Sequence, residues 1–171
     1  MAVIFDLDQT LVDTKKLKIY RDNRQWKTIQ NHLDKTHLYP DVDFVLSVLY
    51  ENDIPMAVVT NSPGMYAKAL LKYHKIPIDT LFAYHDTKKH KPDPEPMLKA
   101  VQAMGCMLSQ VISLDDDPKD IQASRNADII SCAALWDCEN AFTLMQAQPV
   151  HFFETPREFL QFSMEFHGLY M

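Results

Sequence analysis

Four short apolar runs punctuate the chain: Ala2–Phe5, Met56–Val59, Val111–Leu114 and Ile129–Ala133. None alternates polar with apolar positions, which marks strands covered on both faces, as in a parallel sheet. A fifth run, Val150–Phe153, is weaker. Helical spacing fills the gaps. Val42, Val45, Leu46 and Leu49 follow the i, i+3, i+4, i+7 rule, with Asp41 placed as an N-cap. Met65, Ala69 and Tyr73 keep helical spacing after Pro63, and Met97, Val101 and Met104 do so after Pro94 and Pro96, with Gly105 as the stop. Phe159, Phe162 and Phe166 mark a terminal helix. These stripes are expected to face the core. Strand alternating with helix predicts an α/β fold: a doubly wound, mostly parallel sheet flanked by helices, in one domain over residues 1–171.

The stretch from Thr14 to Tyr39 breaks the alternation and is too polar for a strand. Ile19, Trp26, Ile29 and Leu33 fall roughly on one helical face, with Arg21 and Arg24 opposite. A small helical insertion over residues 14–39 is therefore expected after the first strand. Charge sharpens that picture. Lys15 to His37 holds seven basic residues against Asp22 and Asp34, a net +5, so a total of −6 leaves −11 for the rest. The acidic total argues against binding nucleic acid by bulk charge, while the basic insertion could grip an anionic substrate.

With 47% hydrophobic and 23% charged residues, the composition is globular. No apolar run approaches the roughly 20 residues of a membrane span, and Met1–Phe5 lacks a basic leader. Three cysteines without metal-type spacing suit a reduced compartment, so a cytoplasmic protein with no membrane partner is expected.

In doubly wound sheets, ligands bind at the carboxyl ends of the strands. There the chain carries Asp6-Leu7-Asp8-Gln9-Thr10, then Thr60-Asn61-Ser62, then Asp115-Asp116-Asp117 with Asp120. Two carboxylates at i and i+2 leaving a strand can divide the work of nucleophile and acid–base.

Asp6-Leu7-Asp8-Gln9-Thr10 resembles the first motif of the haloacid dehalogenase superfamily, and Val58-Val59-Thr60-Asn61 resembles the second. Lys91-Pro92-Asp93-Pro94 and Leu114-Asp115-Asp116-Asp117-Pro118-Lys119-Asp120-Ile121 resemble the third and fourth. All four stand in order, and the resemblance spans about Ala2 to Asp128. It implies that Asp6 attacks phosphorus and becomes an aspartyl-phosphate, and that Asp8 is general acid and then base. It implies further that Thr60 binds a phosphoryl oxygen and Lys91 neutralises charge. Mg²⁺ would be bound by the Asp6 carboxylate, the Asp8 backbone carbonyl and Asp116, with Asp120 near or in its shell. Thr10 and Asn61 would support the loops.

Three residues depart from the pattern. Gln9 and Asp128 stand where many relatives have Gly, and Asp115 stands where the fourth motif often begins with Gly. Gln9 would then restrict its loop or face the substrate, and the choice of metal ligand among Asp115, Asp116 and Asp117 stays open. Asp116 is preferred for its four-residue spacing to Asp120. The resemblance implies a Mg²⁺-dependent phosphomonoester hydrolase. The insertion is shorter than a full cap, which suggests an open site and a large or multiply anionic substrate: a nucleotide, a nucleic-acid end or a phosphoprotein. Arg21 and Arg24 would read its extra charge. The alternatives are a small sugar-phosphate phosphatase and a noncatalytic phosphate-binding scaffold.

Overall fold

A computed structural model describes residues 1–138 and 140–169. Strand β1 (Ala2–Phe5) leads to a two-residue strand β2 (Val12–Asp13), short helices α1 (Lys18–Asp22) and α2 (Trp26–Ile29), and a return strand β3 (His37–Leu38). Then follow α3 (Val42–Glu51), β4 (Met56–Val59), α4 (Gly64–Tyr73), β5 (Thr80–Phe82), α5 (Glu95–Met104) and β6 (Val111–Asp115). The chain continues through α6 (Pro118–Asn126), β7 (Ile130–Ala134), α7 (Ala141–Gln146), β8 (His151–Phe153) and α8 (Pro156–Phe166). Six strands form one parallel sheet in the order β5-β4-β1-β6-β7-β8, as the apolar runs predict.

The central strand shows why its run is unbroken. Val3 and Phe5 join one apolar cluster with Leu46, Leu70 and Phe159, while Ala2 and Ile4 join another with Met97, Ala100 and Ala123. Helices α3, α4 and α8 thus cover one face, and α5 and α6 the other. A polar residue at any of these β1 positions would be buried without a partner. Chain order reverses at β1, which lies between β4 and β6, so the loops after β1 and β6 meet at the crevice where such sheets bind ligands.

Three local expectations are corrected. Met65 and Tyr73 are exposed, and α4 buries Tyr66, Ala67, Leu70 and Leu71 instead. Asp41 precedes α3 in a left-handed conformation (φ 65°) and makes no cap bond; its carboxylate pairs with Arg157 at 2.7 Å. Between β2 and β3 the chain forms short helical pieces, and one helical face does not run through residues 14–39. The helices there are five and four residues long with 3₁₀ turns around them, so the register resets. Ile19 is 66% exposed, whereas Leu17 and Ile29 are fully buried and Trp26 and Leu33 pack against the core.

The insertion stands on a stem made by β2 and β3, paired antiparallel through Val12 with Leu38 and Asp13 with His37. It docks on α4. Trp26 packs on Tyr66 with ring centroids 5.6 Å apart, and Thr36 Oγ1 lies 2.7 Å from His74 Nε2.

Candidate active site

Asp6 follows β1 directly, and its backbone N–H donates to Leu114 O of β6 at 3.0 Å. Its side chain is therefore fixed at the carboxyl edge of the sheet. Lys91 Nζ donates to Asp6 Oδ1 at 2.7 Å, to Asp120 Oδ2 at 2.6 Å and to the Val59 carbonyl at 2.9 Å. The lysine comes from the loop before α5, and Asn61 holds that loop in place. Asn61 Oδ1 accepts from Lys91 N at 3.1 Å, and Asn61 Nδ2 donates to Lys91 O at 3.0 Å. Thr60 Oγ1 accepts from Ser62 N at 3.0 Å, which leaves its hydroxyl hydrogen to donate elsewhere.

Asp8 sits across the cavity in a dense shell of donors. Thr14 Oγ1 (2.7 Å), Tyr66 Oη (2.5 Å) and Arg21 Nη1 (2.8 Å) meet its Oδ1, and Ser62 Oγ (2.8 Å) meets its Oδ2. Burial, followed by the charge of Asp8, raises the Tyr66 phenol, so it stays protonated as a donor. Arg21 is thus brought from the insertion onto the site. Arg24 is not: it is exposed at a left-handed turn (φ 53°) and stands outside the cavity lining.

The three adjacent acids of the fourth motif take three different places. Asp115 ends β6, is fully buried, and has an Oδ1 without a hydrogen-bond partner. Asp117 caps α6, accepting from Lys119 N at 2.8 Å. Asp116 lines the cavity, and its Oδ1 accepts from Thr10 Oγ1 at 3.1 Å. Thr10 therefore ties the first motif to the fourth rather than facing substrate.

Electrostatics set this cluster apart. Burial, helped by repulsion from Asp120 and Asp8, pushes Asp6 up to about 8 despite the pull of Lys91. Burial and Asp6 push Asp116 up to about 8. Burial likewise raises Asp120 to about 7 and Asp115 to about 6. Burial alone would lower Lys91, but Asp120 and Asp6 outweigh it and keep the ammonium charged. Three buried carboxylates and the half-buried Asp116 thus share one buried lysine, a deficit of positive charge that a divalent cation would fill. Among the described residues, no three His, Cys, Asp or Glu side chains gather as a ready metal cage. Mg²⁺ needs none, because it commonly takes one or two carboxylates with water and substrate phosphate. Lys91 and Thr10 each occupy one oxygen, leaving Asp6 and Asp116 a second oxygen apiece as a ligand.

Gln9 is left-handed (φ 67°). Its amide lies between Tyr39 and Thr14: Oε1 is 2.7 Å from Tyr39 Oη, and Nε2 donates to Thr14 Oγ1 at 3.3 Å. The conformation costs a non-glycine residue about 1–2 kcal/mol, while a hydrogen bond such as that to Thr14 returns about 1 kcal/mol. Tyr39 Oη also makes a short hydrogen bond to Asp137, which pairs with Lys15 at 2.5 Å.

The cavity has a volume of about 420 Å³ and is lined by Asp6, Asp8, Gln9, Arg21, Trp26, Thr60, Asn61, Lys91, Asp116 and Asp120, among others. Sequence reasoning missed Ser62, Tyr66, Thr14, Tyr39 and Asp137. Ser62 alone carried a signal, standing beside Thr60-Asn61 at a strand end.

Residues 16–134 match the haloacid dehalogenase-like hydrolase family. The chain is 33% identical to "Putative pyrophosphatase PpaX" of Caldanaerobacter subterraneus subsp. tengcongensis, over 90% of each chain. It is 31% identical to the phosphoglycolate phosphatase of Escherichia coli over 54% of this chain and 37% of that one. A hydrolase from Pseudomonas syringae superposes with a TM-score of 0.83 at 17% identity, covering 96% of this chain and 98% of that one. A haloacid dehalogenase superfamily hydrolase from Ehrlichia chaffeensis does so at 0.74 and 21%, covering 97% of each.

Proposed function

The chain belongs to the haloacid dehalogenase-like hydrolase family and is a phosphatase within it, and from that premise we propose that it hydrolyses small phosphorylated compounds through an aspartyl-phosphate on Asp6. One observation carries this reading. Asp6 stands at the head of the central strand with Lys91 at 2.7 Å, while Asp8 faces the same cavity in a shell of its own. One carboxylate is held to attack and another to transfer protons, which is the division of roles the chemistry needs.

In this mechanism an Asp6 oxygen attacks phosphorus as Asp8 gives a proton to the departing ester oxygen. Asp8 then takes a proton from the water that opens the aspartyl-phosphate. Thr60 donates its hydroxyl hydrogen to a phosphoryl oxygen, and Lys91 balances the charge that gathers on Asp6 and the phosphoryl group. Asp6 and Asp116 would hold Mg²⁺ with the Asp8 carbonyl, and the ion would supply charge neutralisation for phosphoryl transfer. Asp120 is engaged by Lys91 and orients it.

The small-substrate alternative is better supported than a polymer end or phosphoprotein. The cavity of about 420 Å³ lies at the small end of ligand sites, and the insertion places Trp26 and Arg21 on it. The relatives bear the names of a pyrophosphatase and a phosphoglycolate phosphatase, both acting on small substrates. Each offers a second anionic group beyond the reacting phosphate. Such a group competes with Asp8 for Arg21, while Thr14 and Tyr66 keep their hold on Asp8 Oδ1.

A release assay with Mg²⁺ over pyrophosphate, phosphoglycolate, sugar phosphates, nucleotides, phosphopeptides and 5′-phosphorylated DNA tests the reading. Small anionic compounds are expected to give the highest kcat/KM. A preference for the macromolecular substrates would overturn it.

A further inference from the structure

We propose that Gln9 is a positioning residue for proton transfer, acting through Thr14 on Asp8. The inference rests on the phosphatase reading.

Thr14 has a single hydroxyl hydrogen, and Asp8 Oδ1, 2.7 Å away, accepts it. The hydroxyl oxygen is then held in place by what meets its lone pairs, and Gln9 Nε2 donates to it at 3.3 Å. The amide in turn is hemmed in by Tyr39 Oη, 2.7 Å from its carbonyl oxygen. Tyr39 is 6% exposed and is held from its far side by Asp137, 98 residues later in the chain. A line of contacts therefore runs from the loop after β7, through Tyr39, Gln9 and Thr14, to the acid–base carboxylate.

Stability does not explain the glutamine. Its left-handed backbone costs about as much as its hydrogen bonding returns, or more, and glycine would adopt that conformation without strain. Gln9 lines the cavity, but its amide is turned to Tyr39 and Thr14 within the protein. What remains is the orientation of Thr14. A residue held in a strained conformation beside reacting groups is often kept for its position.

Four proteins test this: the parent, Gln9→Gly, Tyr39→Phe and the double variant. Each is assayed with Mg²⁺ against p-nitrophenyl phosphate, whose leaving group needs little protonation, and against an alkyl phosphate, whose leaving group needs it. Gln9→Gly is expected to melt within about 3 °C of the parent. It should lower kcat for the alkyl ester about tenfold with KM unchanged, and move p-nitrophenyl phosphate less than about twofold. Tyr39→Phe should show the same selectivity, and the double variant should be no worse than the poorer single one. An active parent whose Gln9→Gly variant loses both esters equally, loses neither, or changes only KM would overturn this inference alone. A parent that turns over neither ester would overturn the phosphatase reading and this inference with it.

Discussion

Arg21 Nη1 lies 2.8 Å from Asp8 Oδ1, so a cation from the insertion rests on a carboxylate of the core that lines the cavity. The basic segment is therefore not a uniform charged surface. One arginine is inside the site and its neighbour Arg24 is outside it.

Substitution should separate the two. Arg21→Ala should reduce kcat/KM for a small substrate with two anionic groups about tenfold or more, because a partly buried guanidinium contact is lost. Arg24→Ala should stay within about twofold, as exposed charges do. Steady-state kinetics on pyrophosphate decide this. Equal losses would mean that the segment acts by its field alone.

Asp6→Asn should abolish turnover by on the order of 10⁴-fold or more, since no other group replaces the covalent step. The same change removes a buried charge, so the metal-free variant should melt higher than the parent at pH 8. Trapping of labelled phosphate on the parent and its absence from the variant check the first expectation, and calorimetry the second.

Asp116→Ala and Asp117→Ala should fail in different ways. Asp116 faces the cavity, so its loss should raise the Mg²⁺ concentration for half-maximal activity about tenfold or more. Asp117 caps α6, so its loss should cost about 1 kcal/mol of stability and leave that concentration nearly unchanged. Mg²⁺ titrations of both variants, with melting curves, test the assignment. The reverse order would move the metal ligand to Asp117.

The buried carboxylates predict an inverted pH response without metal. In the unfolded chain an aspartate ionises near 3.8, whereas in the fold Asp6 and Asp116 are raised to about 8. Between these values the folded protein binds more protons, so its stability falls as pH rises, by about 1.4 kcal/mol per pH unit for each such group. Denaturant midpoints in EDTA should decline from pH 5 to pH 8, and Mg²⁺ should flatten the decline. A midpoint that rises with pH in EDTA would contradict the burial of these acids.

The sheet was legible because its strands are buried on both faces, so the apolar runs needed no context. The residues leaving β1, β4 and β6 were legible for a related reason: a strand's end fixes where its next residues point. The shell around Asp8 was not. Tyr66 reaches it from 58 positions away, on a helix face that spacing alone had turned outward. Residues 14–39 misled because a periodicity argument needs several turns of one helix, and α1 and α2 are five and four residues long. Gln9 was recognised as a departure from a common glycine, but only Tyr39 and Thr14 show where its amide goes.

The β2–β3 stem has a consequence for how such a protein changes. Two residue pairs bring the ends of the insertion together, one strand spacing of about 5 Å apart. To the sheet, everything between them is a closed loop, and closure entropy grows slowly with loop length. Segments of other lengths can be grafted at this position without disturbing the order of the six strands. A graft would carry off Arg21 and Trp26 while leaving Asp6, Thr60 and Lys91 where they are. The part of the cavity wall built by the insertion is therefore separable from the part built by the sheet, and the seam between them runs through Asp8, whose partners come from both.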